Sequence, residues 1–348
     1  MLYEKNNDTD IVPGIIGAGS FGTALAVNFS KYTDKVYLKC RNSEFAKKLR
    51  QCRQNSDYLP GIVLKENIII EDKFESVFKN ADIIFLVVPS IALQSTFEEI
   101  KRYNTQFNFN DYIFINTAKG VGFNTLEMPH KVFSDVFGKQ MLERYAMLSG
   151  PSFAAEVAAG LPTAVCVASF NNSVLVRIKE FFKNNQNFRI YTLNDVTGLE
   201  LGGALKNIIA LASGISDGLK LGYNARAALL TRGIAEITRF GEAMGADRQT
   251  FAGLSGIGDL ILTSTSDLSR NRTVGLKIAQ GMSLDLIVNG MKMIAEGVTT
   301  TKSVHILAKQ KNIYMPITEI VYLVLYEGLK PHDAISMLLR RDIKNEFD

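Results

Sequence analysis

The sequence is poor in cysteine and in long apolar runs. Three cysteines, Cys40, Cys52 and Cys166, occur in 348 residues, and their spacing matches no metal site. An odd number of scattered thiols excludes a disulfide framework and is typical of a reducing compartment. The most apolar segments, residues 83–88 and 317–326, are far shorter than the roughly 18 uncharged residues that a membrane-spanning helix needs. We therefore expect no membrane insertion.

Concentrated charge is also lacking. The 39 Lys and Arg against 35 Asp and Glu leave a net charge of +4, and the basic residues form no runs. A nucleic-acid surface requires clustered positive charge, so we expect no nucleic-acid partner. Residues 1–10 are polar and lack the apolar segment of a secretory signal, which predicts a cytoplasmic protein with a poorly ordered start. The length and the 47% hydrophobic content indicate a folded protein of roughly two domains.

Short apolar runs alternate with helical patterns through the first half of the chain. The predicted strands are residues 11–16, 36–38, 68–70, 83–88, 112–115 and 164–167. This alternation predicts a parallel sheet with helices on both faces. Beyond residue 192, helical spacing dominates, at residues 198–214, 224–244, 300–311, 317–326 and 331–341. The sequence predicts an α/β doubly wound domain over residues 1–193, followed by an all-α domain over residues 194–348.

A glycine-rich turn joins the first predicted strand to a helix. It reads Gly17-Ala18-Gly19-Ser20-Phe21-Gly22. In such a turn the first glycine allows a tight bend, the second admits a pyrophosphate, and the third permits close helix–strand packing. The strand-to-helix context favours a dinucleotide site of the Rossmann type over a plain glycine turn. Pro13 and Gly14 are expected to loosen the first strand.

The second predicted strand ends without an acidic residue. An Asp or Glu at this place holds the ribose 2′-hydroxyl of NAD. Here Lys39 and Arg41 occupy the region and could instead pair with a 2′-phosphate, which favours NADPH over NADH. The alternative, that both are exposed loop charges, is as good for Lys39 and weaker for Arg41.

Lys206 lies on a predicted helix face of small residues. The other members of that face are Leu199, Gly202, Gly203, Ala210 and Ser213. Each interior glycine costs about 0.5–1 kcal/mol relative to alanine, so two together indicate close approach of a ligand or of another backbone. A partly buried lysine has a lowered pKa and can exchange a proton near neutral pH. A lysine that snorkels past a tight helix crossing is equally consistent with the spacing.

Three further polar clusters could contact a small anion. They are Thr117-Ala118-Lys119-Gly120, Gly256-Ile257-Gly258-Asp259 and Ser269-Arg270-Asn271-Arg272. Taken singly, each has an ordinary interpretation: a loop lysine, an aspartate that caps the helix from Leu260, and a solvated turn.

Taken together, these motifs resemble those of the bacterial NAD(P)-dependent glycerol-3-phosphate dehydrogenases, from Ile15 to about Glu327. Further stretches that carry the resemblance are Val88-Pro89-Ser90, Ser149-Gly150-Pro151-Ser152-Phe153-Ala154-Ala155-Glu156, Ala204-Leu205-Lys206-Asn207 and Ala295-Glu296-Gly297-Val298. Several are unusual, so chance agreement in the same order is improbable. Ile294 stands where many relatives have valine.

The resemblance implies a role for each matching residue. Lys206 would be the proton donor and acceptor, oriented by Asp259, with Lys119 as a further catalytic residue. The implied substrate-binding residues are Lys119, Gly150, Ser152, Lys206, Asn207, Asp259, Thr263, Ser269, Arg270 and Asn271. The implied cofactor-binding residues are Gly17, Gly19, Ser20, Phe21, Gly22, Arg41, Lys119, Ala154, Arg270, Ile294 and Glu296. No metal is expected.

The implied reaction is the reversible, NAD(P)-dependent reduction of dihydroxyacetone phosphate to sn-glycerol 3-phosphate. In that family the product supplies glycerophospholipid synthesis and the enzyme commonly forms a homodimer. Two alternatives stay open. One is another two-domain dehydrogenase, acting on a hydroxy acid or a sugar acid. The other is a non-catalytic nucleotide sensor, which would not need a proton donor.

Overall fold

The computed structural model describes residues 11–122, 126–291 and 295–339. Residues 1–10, which the sequence predicts to be poorly ordered, and Ile294 lie outside these ranges. The described chain forms an eight-stranded sheet followed by a group of helices. The strands are β1 (Pro13–Ile16), β2 (Val36–Lys39), β3 (Ile68–Glu71), β4 (Ile83–Leu86), β5 (Ile113–Asn116), β6 (Tyr145–Ser149), β7 (Thr163–Ser169) and β8 (Phe188–Leu193).

The strand order in the sheet is β3-β2-β1-β4-β5-β6-β7-β8. All neighbouring strands are parallel except β6 and β7, which pair in opposite directions. From β1 the chain adds β2 and β3 on one side. It then crosses back and adds β4 and the later strands on the other side of β1. The strand order therefore reverses between β1 and β4, and ligands of open α/β sheets bind at the carboxyl ends of the strands beside such a point.

Helices cover both faces of this sheet. They are α1 (Ser20–Phe29), α2 (Ser43–Cys52), α3 (Phe74–Asn80), α4 (Leu93–Lys101), α5 (Pro129–Phe137), α6 (Ala154–Ala159) and α7 (Asn172–Phe182). Side chains of α1, α2, α6 and α7 form one apolar core with Phe85, and side chains of α3, α4 and α5 form another with Phe114. Two cores on opposite faces confirm the doubly wound architecture.

The sheet differs from the sequence prediction in three respects. Strands β6 and β8 were not predicted, and the pairing of β6 with β7 is antiparallel. Tyr145–Ser149 escapes prediction because it contains no β-branched residue. Pro13 and Gly14 do not loosen β1: both are buried and pair in register with β4. Gly14 is needed there because a Cβ would lie 2.6 Å from Cγ1 of Val77 in α3.

The chain after β8 is helical, as the sequence predicts. The helices are α8 (Val196–Gly218), α9 (Gly222–Ala243), α10 (Arg248–Phe251), α11 (Asp259–Thr265), α12 (Arg270–Ala279), α13 (Leu284–Asn289), α14 (Glu296–Gln310), α15 (Pro316–Tyr326) and α16 (Pro331–Leu339). A π-helical turn, Leu254–Gly258, precedes α11. Helix α8 is buried along almost its whole length because α9, α11, α12 and α14 pack around it. Within the described ranges, none of the helices combines the length and the apolar character needed to span a membrane.

The three cysteines are free thiols in different surroundings. Cys40, after β2, and Cys166, in β7, are buried, whereas Cys52 at the end of α2 is exposed. Burial raises the pKa of Cys40 to about 12 and also raises the pKa of Cys166. Neither buried thiol is therefore activated as a nucleophile at neutral pH.

Candidate active site

The three glycines of the turn between β1 and α1 have different structural requirements. Gly17 has φ +115°, and a Cβ there would overlap the carbonyl oxygen of Val87. A Cβ at Gly22 would overlap the carbonyl oxygen of Gly17, which would force α1 away from β1. At Gly19, in contrast, no atom lies within 4 Å of the Cβ position. The middle glycine therefore borders open space, which is what a turn that admits a pyrophosphate requires.

The amino end of α1 completes a site for an anion. Its cap residue, Gly19, has no side chain, and the first turn contains no acidic residue. The first-turn N–H groups of a helix have no partners within the helix and attract negative charge. The Ser20 hydroxyl donates a hydrogen bond to the carbonyl oxygen of Tyr58 at 2.6 Å, and Phe21 is partly buried beside it. These residues fit a bound dinucleotide.

Asn55 supports the glycine turn and was not predicted from the sequence. Its Nδ2 donates to the carbonyl oxygen of Ala18 at 3.0 Å and to Oγ1 of Thr23 at 2.8 Å. The residue is 1% exposed. Its local sequence is an ordinary polar loop, so no pattern could have indicated this role.

A buried cluster of two lysines and one aspartate lies beside the carboxyl edge of the sheet. Lys206 Nζ lies 2.5 Å from Asp259 Oδ1, and Lys119 Nζ lies 2.8 Å from Asp259 Oδ2. Lys206 also donates a hydrogen bond to Thr263 Oγ1 at 2.8 Å. Lys119 follows β5, Lys206 lies in the middle of α8, and Asp259 begins α11. Elements that are distant in sequence thus converge on one carboxylate.

The cluster rules out two ordinary interpretations of its members. Asp259 does not cap the helix from Leu260: it is the first residue of α11, and its carboxylate is buried between the two lysines. Lys119 is not a free loop lysine, because it forms an ion pair with that carboxylate and donates to the carbonyl oxygen of Gly150 at 3.0 Å.

Burial and charge adjust the pKa values in opposite directions. Loss of solvent, opposed by the attraction of Asp259 and reinforced by the positive charge of Lys119, lowers the pKa of Lys206 to about 7. Burial alone would raise the pKa of Asp259, but the two ammonium groups outweigh that effect and lower it. Asp259 therefore stays ionised at neutral pH, while Lys206 can gain or lose a proton there.

Two glycines on α8 allow neighbouring parts of the protein to pack closely against this helix. A Cβ at Gly202 would lie 2.6 Å from the carbonyl oxygen of Ser255 in the π-helical turn, and a Cβ at Gly203 would lie 2.8 Å from Oγ of Ser149. The two glycines are therefore explained by close packing against neighbouring protein. Glu200, also in α8, accepts a hydrogen bond from the Tyr145 hydroxyl at 2.7 Å, which fastens the helix to β6.

Three predicted substrate residues surround Lys119. The Ser152 hydroxyl donates to the carbonyl oxygen of Gly150 at 3.0 Å, the same atom that Lys119 contacts. Asn207 Nδ2 lies 3.4 Å from the carbonyl oxygen of Lys119. Gly150 has φ +140°, a conformation that side chains disfavour, so glycine is required at this turn.

Three more predicted substrate-binding residues lie at the amino end of α12. Ser269 caps the helix, Arg270 is its exposed first residue, and Asn271 is buried. Asn271 Oδ1 accepts a hydrogen bond from the N–H of Gly297 at 3.0 Å. Ser269 and Asn271 are 2% and 7% exposed, so the interpretation of this segment as a solvated turn is wrong for both.

Glu296 connects the helical part of the chain to the sheet. It begins α14, and its Oε1 accepts a hydrogen bond from the N–H of Ser90 at 2.9 Å, just beyond β4. Ala154 begins α6, after the turn that contains Gly150 and Ser152. Ile294, also predicted to bind the cofactor, lies outside the described residues.

The two basic residues near the end of β2 differ in exposure. Arg41 is exposed, whereas Lys39 is buried with its ammonium 3.8 Å from the centre of the Phe74 ring. The interpretation of Lys39 as an exposed loop charge is therefore wrong. Glu71, the last residue of the neighbouring strand β3, and Asp72, which follows it, lie 3.7 and 3.3 Å from Arg50.

The dinucleotide turn and Lys206 belong to opposite halves of the chain, and both lie on the carboxyl side of the sheet. This combination defines the class of nicotinamide-dependent dehydrogenases. Sequence comparison then identifies the family. Residues 13–175 match the family profile described as NAD-dependent glycerol-3-phosphate dehydrogenase N-terminus, and residues 195–336 match its C-terminus. The chain belongs to the NAD-dependent glycerol-3-phosphate dehydrogenases, which are oxidoreductases.

Individual relatives agree over nearly full length. The glycerol-3-phosphate dehydrogenase [NAD(P)+] of Syntrophotalea carbinolica is 45% identical over 335 residues, covering 96% of this chain and 99% of the relative. The Geobacter sulfurreducens enzyme of the same name is 44% identical over 333 residues, covering 96% and 98%. The crystal structure of glycerol-3-phosphate dehydrogenase from Coxiella burnetii superposes with a TM-score of 0.89 at 36% identity and covers 95% of this chain and 99% of its own.

Proposed function

We propose that this chain catalyses the reversible reduction of dihydroxyacetone phosphate to sn-glycerol 3-phosphate with NADPH or NADH. The observation that carries the proposal is the Lys206–Asp259–Lys119 cluster beside the dinucleotide turn, in a chain of this family. A bound nicotinamide supplies the hydride, so the protein has to orient the substrate carbonyl, stabilise charge on its oxygen and deliver a proton.

Lys206 delivers that proton. Its pKa of about 7 leaves both charge states accessible near neutrality, as a group that gives a proton in one direction and takes it back in the other requires. Asp259 is a positioning residue for Lys206, since it contacts the ammonium directly and stays ionised. Thr263 accepts a hydrogen bond from the same ammonium and fixes its direction.

Lys119 adds a second positive charge at the substrate carbonyl. It contacts Asp259 and the carbonyl oxygen of Gly150, and it lies at the carboxyl end of β5, where ligands of such sheets bind. Gly150, Ser152 and Asn207 surround Lys119 and would line the same side of the substrate site. A preorganised ammonium stabilises an oxygen that becomes negative during hydride transfer.

The substrate phosphate is held at the amino end of α12. Ser269, Arg270 and Asn271 supply a hydroxyl, a guanidinium and an amide there, and a helix amino terminus itself favours anions. Binding the phosphate far from the reacting carbon provides free energy that orients the carbonyl.

The proposed cofactor contacts come from both halves of the chain. The three glycines and Ser20 and Phe21 would hold the pyrophosphate. The remaining contacts are Arg41, Lys119, Ala154, Arg270, Ile294 and Glu296. Arg41, exposed after a strand that ends without an acid, supports a preference for NADPH.

Several wider features belong to the same proposal. We infer a division into a dinucleotide-binding domain, residues 1–193, and a helical substrate domain, residues 194–348.

We also infer that the protein is a homodimer in the cytoplasm and that its product supplies glycerophospholipid synthesis. Light scattering during size-exclusion chromatography measures the assembly, and a monomeric mass at micromolar concentration contradicts the dimer.

The direct test of the activity is the loss of reduced-nicotinamide absorbance with dihydroxyacetone phosphate, measured with NADPH and with NADH. We expect turnover with both and a higher kcat/KM with NADPH. Turnover of hydroxy-acid or sugar-acid precursors instead would indicate a different dehydrogenase. Cofactor binding without any turnover would favour a nucleotide sensor.

A further inference from the structure

Lys39 is a buried cation to which the described part of the chain supplies no counter-ion. It is 8% exposed, and its ammonium forms neither a hydrogen bond nor an ion pair with any residue in the ranges that the structure describes. Its contact is the ring of Phe74, 3.8 Å away. A cation–π contact is weaker than the cost of removing an ammonium from water, so the site is unfavourable for a structural lysine. Burial accordingly lowers the pKa of Lys39.

The acids near Lys39 do not supply the missing partner. Glu71 stands opposite Lys39 in the β2–β3 pairing, but Glu71 and the following Asp72 are within ion-pair distance of Arg50 instead. The remaining nearby acid, Glu99 of α4, is exposed and acts on Lys39 only through its field. The ammonium of Lys39 is therefore available to pair with a negatively charged group of a ligand.

The position of Lys39 indicates which ligand. Lys39 is the last residue of β2, and its carbonyl oxygen accepts a hydrogen bond from the N–H of Gly17, the first glycine of the dinucleotide turn. In folds of this kind the adenosine ribose of the cofactor lies over the end of this strand. Arg41 follows Lys39 by two residues, just beyond the end of the strand, so both cations lie close along the chain to this end of β2.

We propose that Lys39 is a second anchor for the ribose 2′-phosphate of NADPH and, together with Arg41, determines the preference for NADPH over NADH. A phosphate monoester carries about −1.5 to −2 charges at pH 7, so a single arginine does not neutralise it and a second cation completes the match. With NADH, Lys39 stays without a counter-ion. This inference rests on the NADPH preference proposed above.

The test measures binding in the full chain without any substrate. Adenosine 2′,5′-bisphosphate and adenosine 5′-phosphate are titrated by calorimetry into the wild type, Lys39→Met and, as a matched control, Lys35→Met. Lys35 is an exposed lysine at the opposite end of β2. We expect Lys39→Met to weaken the bisphosphate at least about ten-fold, the effect of losing one charge-assisted hydrogen bond, and the monophosphate less than about two-fold. Lys35→Met should change neither.

A thermal melt separates a functional lysine from a structural one. Because the substitution removes an uncompensated buried charge, Lys39→Met should melt at the wild-type temperature or above it. If Lys39→Met does not fold, Lys39→Gln is titrated in its place. Equal weakening of both nucleotides, or of neither, would overturn the proposal.

The experiment also separates this inference from the proposed activity. Discrimination that depends on Lys39, in a chain that fails to reduce dihydroxyacetone phosphate, would support Lys39 and contradict the activity. A wild type that binds both nucleotides equally would contradict the NADPH preference and the role of Lys39 together. In steady state, Lys39→Met should raise KM for NADPH and leave kcat unchanged.

Discussion

At the scale of single residues, the charge state of Lys206 is set by opposing effects. Burial and Lys119 disfavour the ammonium, and Asp259 favours it. In water, the ordinary pKa of lysine lies far above neutrality, so the lysine would remain protonated at pH 7 and could not accept a proton in the oxidation direction. The enclosed carboxylate keeps the ammonium from losing its proton altogether, so the site depends on all three groups at once.

Replacement of Lys206 should therefore abolish proton transfer while the cofactor site remains. We expect Lys206→Met to lower kcat by about 10²–10⁴-fold, the usual contribution of a general acid. Lys206→Arg should be similarly inactive, because a guanidinium keeps the charge but does not release its proton. The readout is reduced-nicotinamide absorbance, with cofactor binding measured by calorimetry as the control. An arginine variant with more than a tenth of wild-type kcat would contradict the role of Lys206.

The pKa of Lys206 also predicts opposite pH profiles for the two directions. Reduction requires the protonated lysine, so its kcat/KM should fall as pH rises through about 7. Oxidation of glycerol 3-phosphate requires the neutral lysine, so its kcat/KM should rise through the same range. Initial rates from pH 5.5 to 9 in both directions test this. Profiles that change in the same direction for both reactions, or that show no transition near pH 7, would contradict it.

At the scale of elements, the β1–α1 turn separates a structural glycine from a functional one. Gly22→Ala should impair folding, because its Cβ would overlap the backbone of Gly17. Gly19→Ala should leave the thermal melt unchanged, because its Cβ meets no atom within 4 Å and its backbone φ of −77° suits any residue. We expect its dinucleotide affinity nevertheless to fall by about ten-fold or more, since the added methyl group would occupy the space of the pyrophosphate. Wild-type affinity in Gly19→Ala would show that this space is not used.

Local sequence was sufficient for some of these elements and insufficient for others. The glycine turn and the small-residue face of α8 were predictable because each lies within one short segment with a clear physical requirement. Strand β6 was not, since its Tyr-Ala-Met-Leu-Ser sequence contains no β-branched residue and its pairing depends on β5 and β7. The contact of Lys39 with Phe74 was equally hidden, because 35 positions of chain separate two residues that only tertiary packing brings together.

At the scale of the whole molecule, the proposed reaction depends on both halves of the chain. The dinucleotide turn belongs to the sheet, whereas Lys206 and the amino end of α12 belong to the helical part. Lys119 and Asp259 form an ion pair across that division, and Glu296 contacts the backbone of Ser90 across it as well. In the proposed mechanism, phosphate binding at α12 is therefore coupled to the position of the carbonyl at the sheet edge.

That coupling predicts a strong dependence on the substrate phosphate. Dihydroxyacetone without phosphate should lose kcat as well as affinity, because phosphate binding orients the carbonyl. Arg270→Lys should weaken dihydroxyacetone phosphate by about 10-fold or more, since a point charge does not reproduce the planar guanidinium. Steady-state kinetics with both substrates measure this. Comparable kcat values for the two substrates would exclude the phosphate role of Arg270.

The different burial of the three thiols allows transient opening of the native sheet to be measured by chemical modification. An alkylating reagent should modify Cys52 at once, whereas Cys40 and Cys166 react only when the sheet around them opens. The slow second and third modifications, followed by mass spectrometry, thus give the opening rate of the native sheet without any introduced label. Cys40 adjoins Arg41, so bound NADPH should slow its modification in particular, and the delay would measure how far the cofactor rigidifies the edge to which it binds.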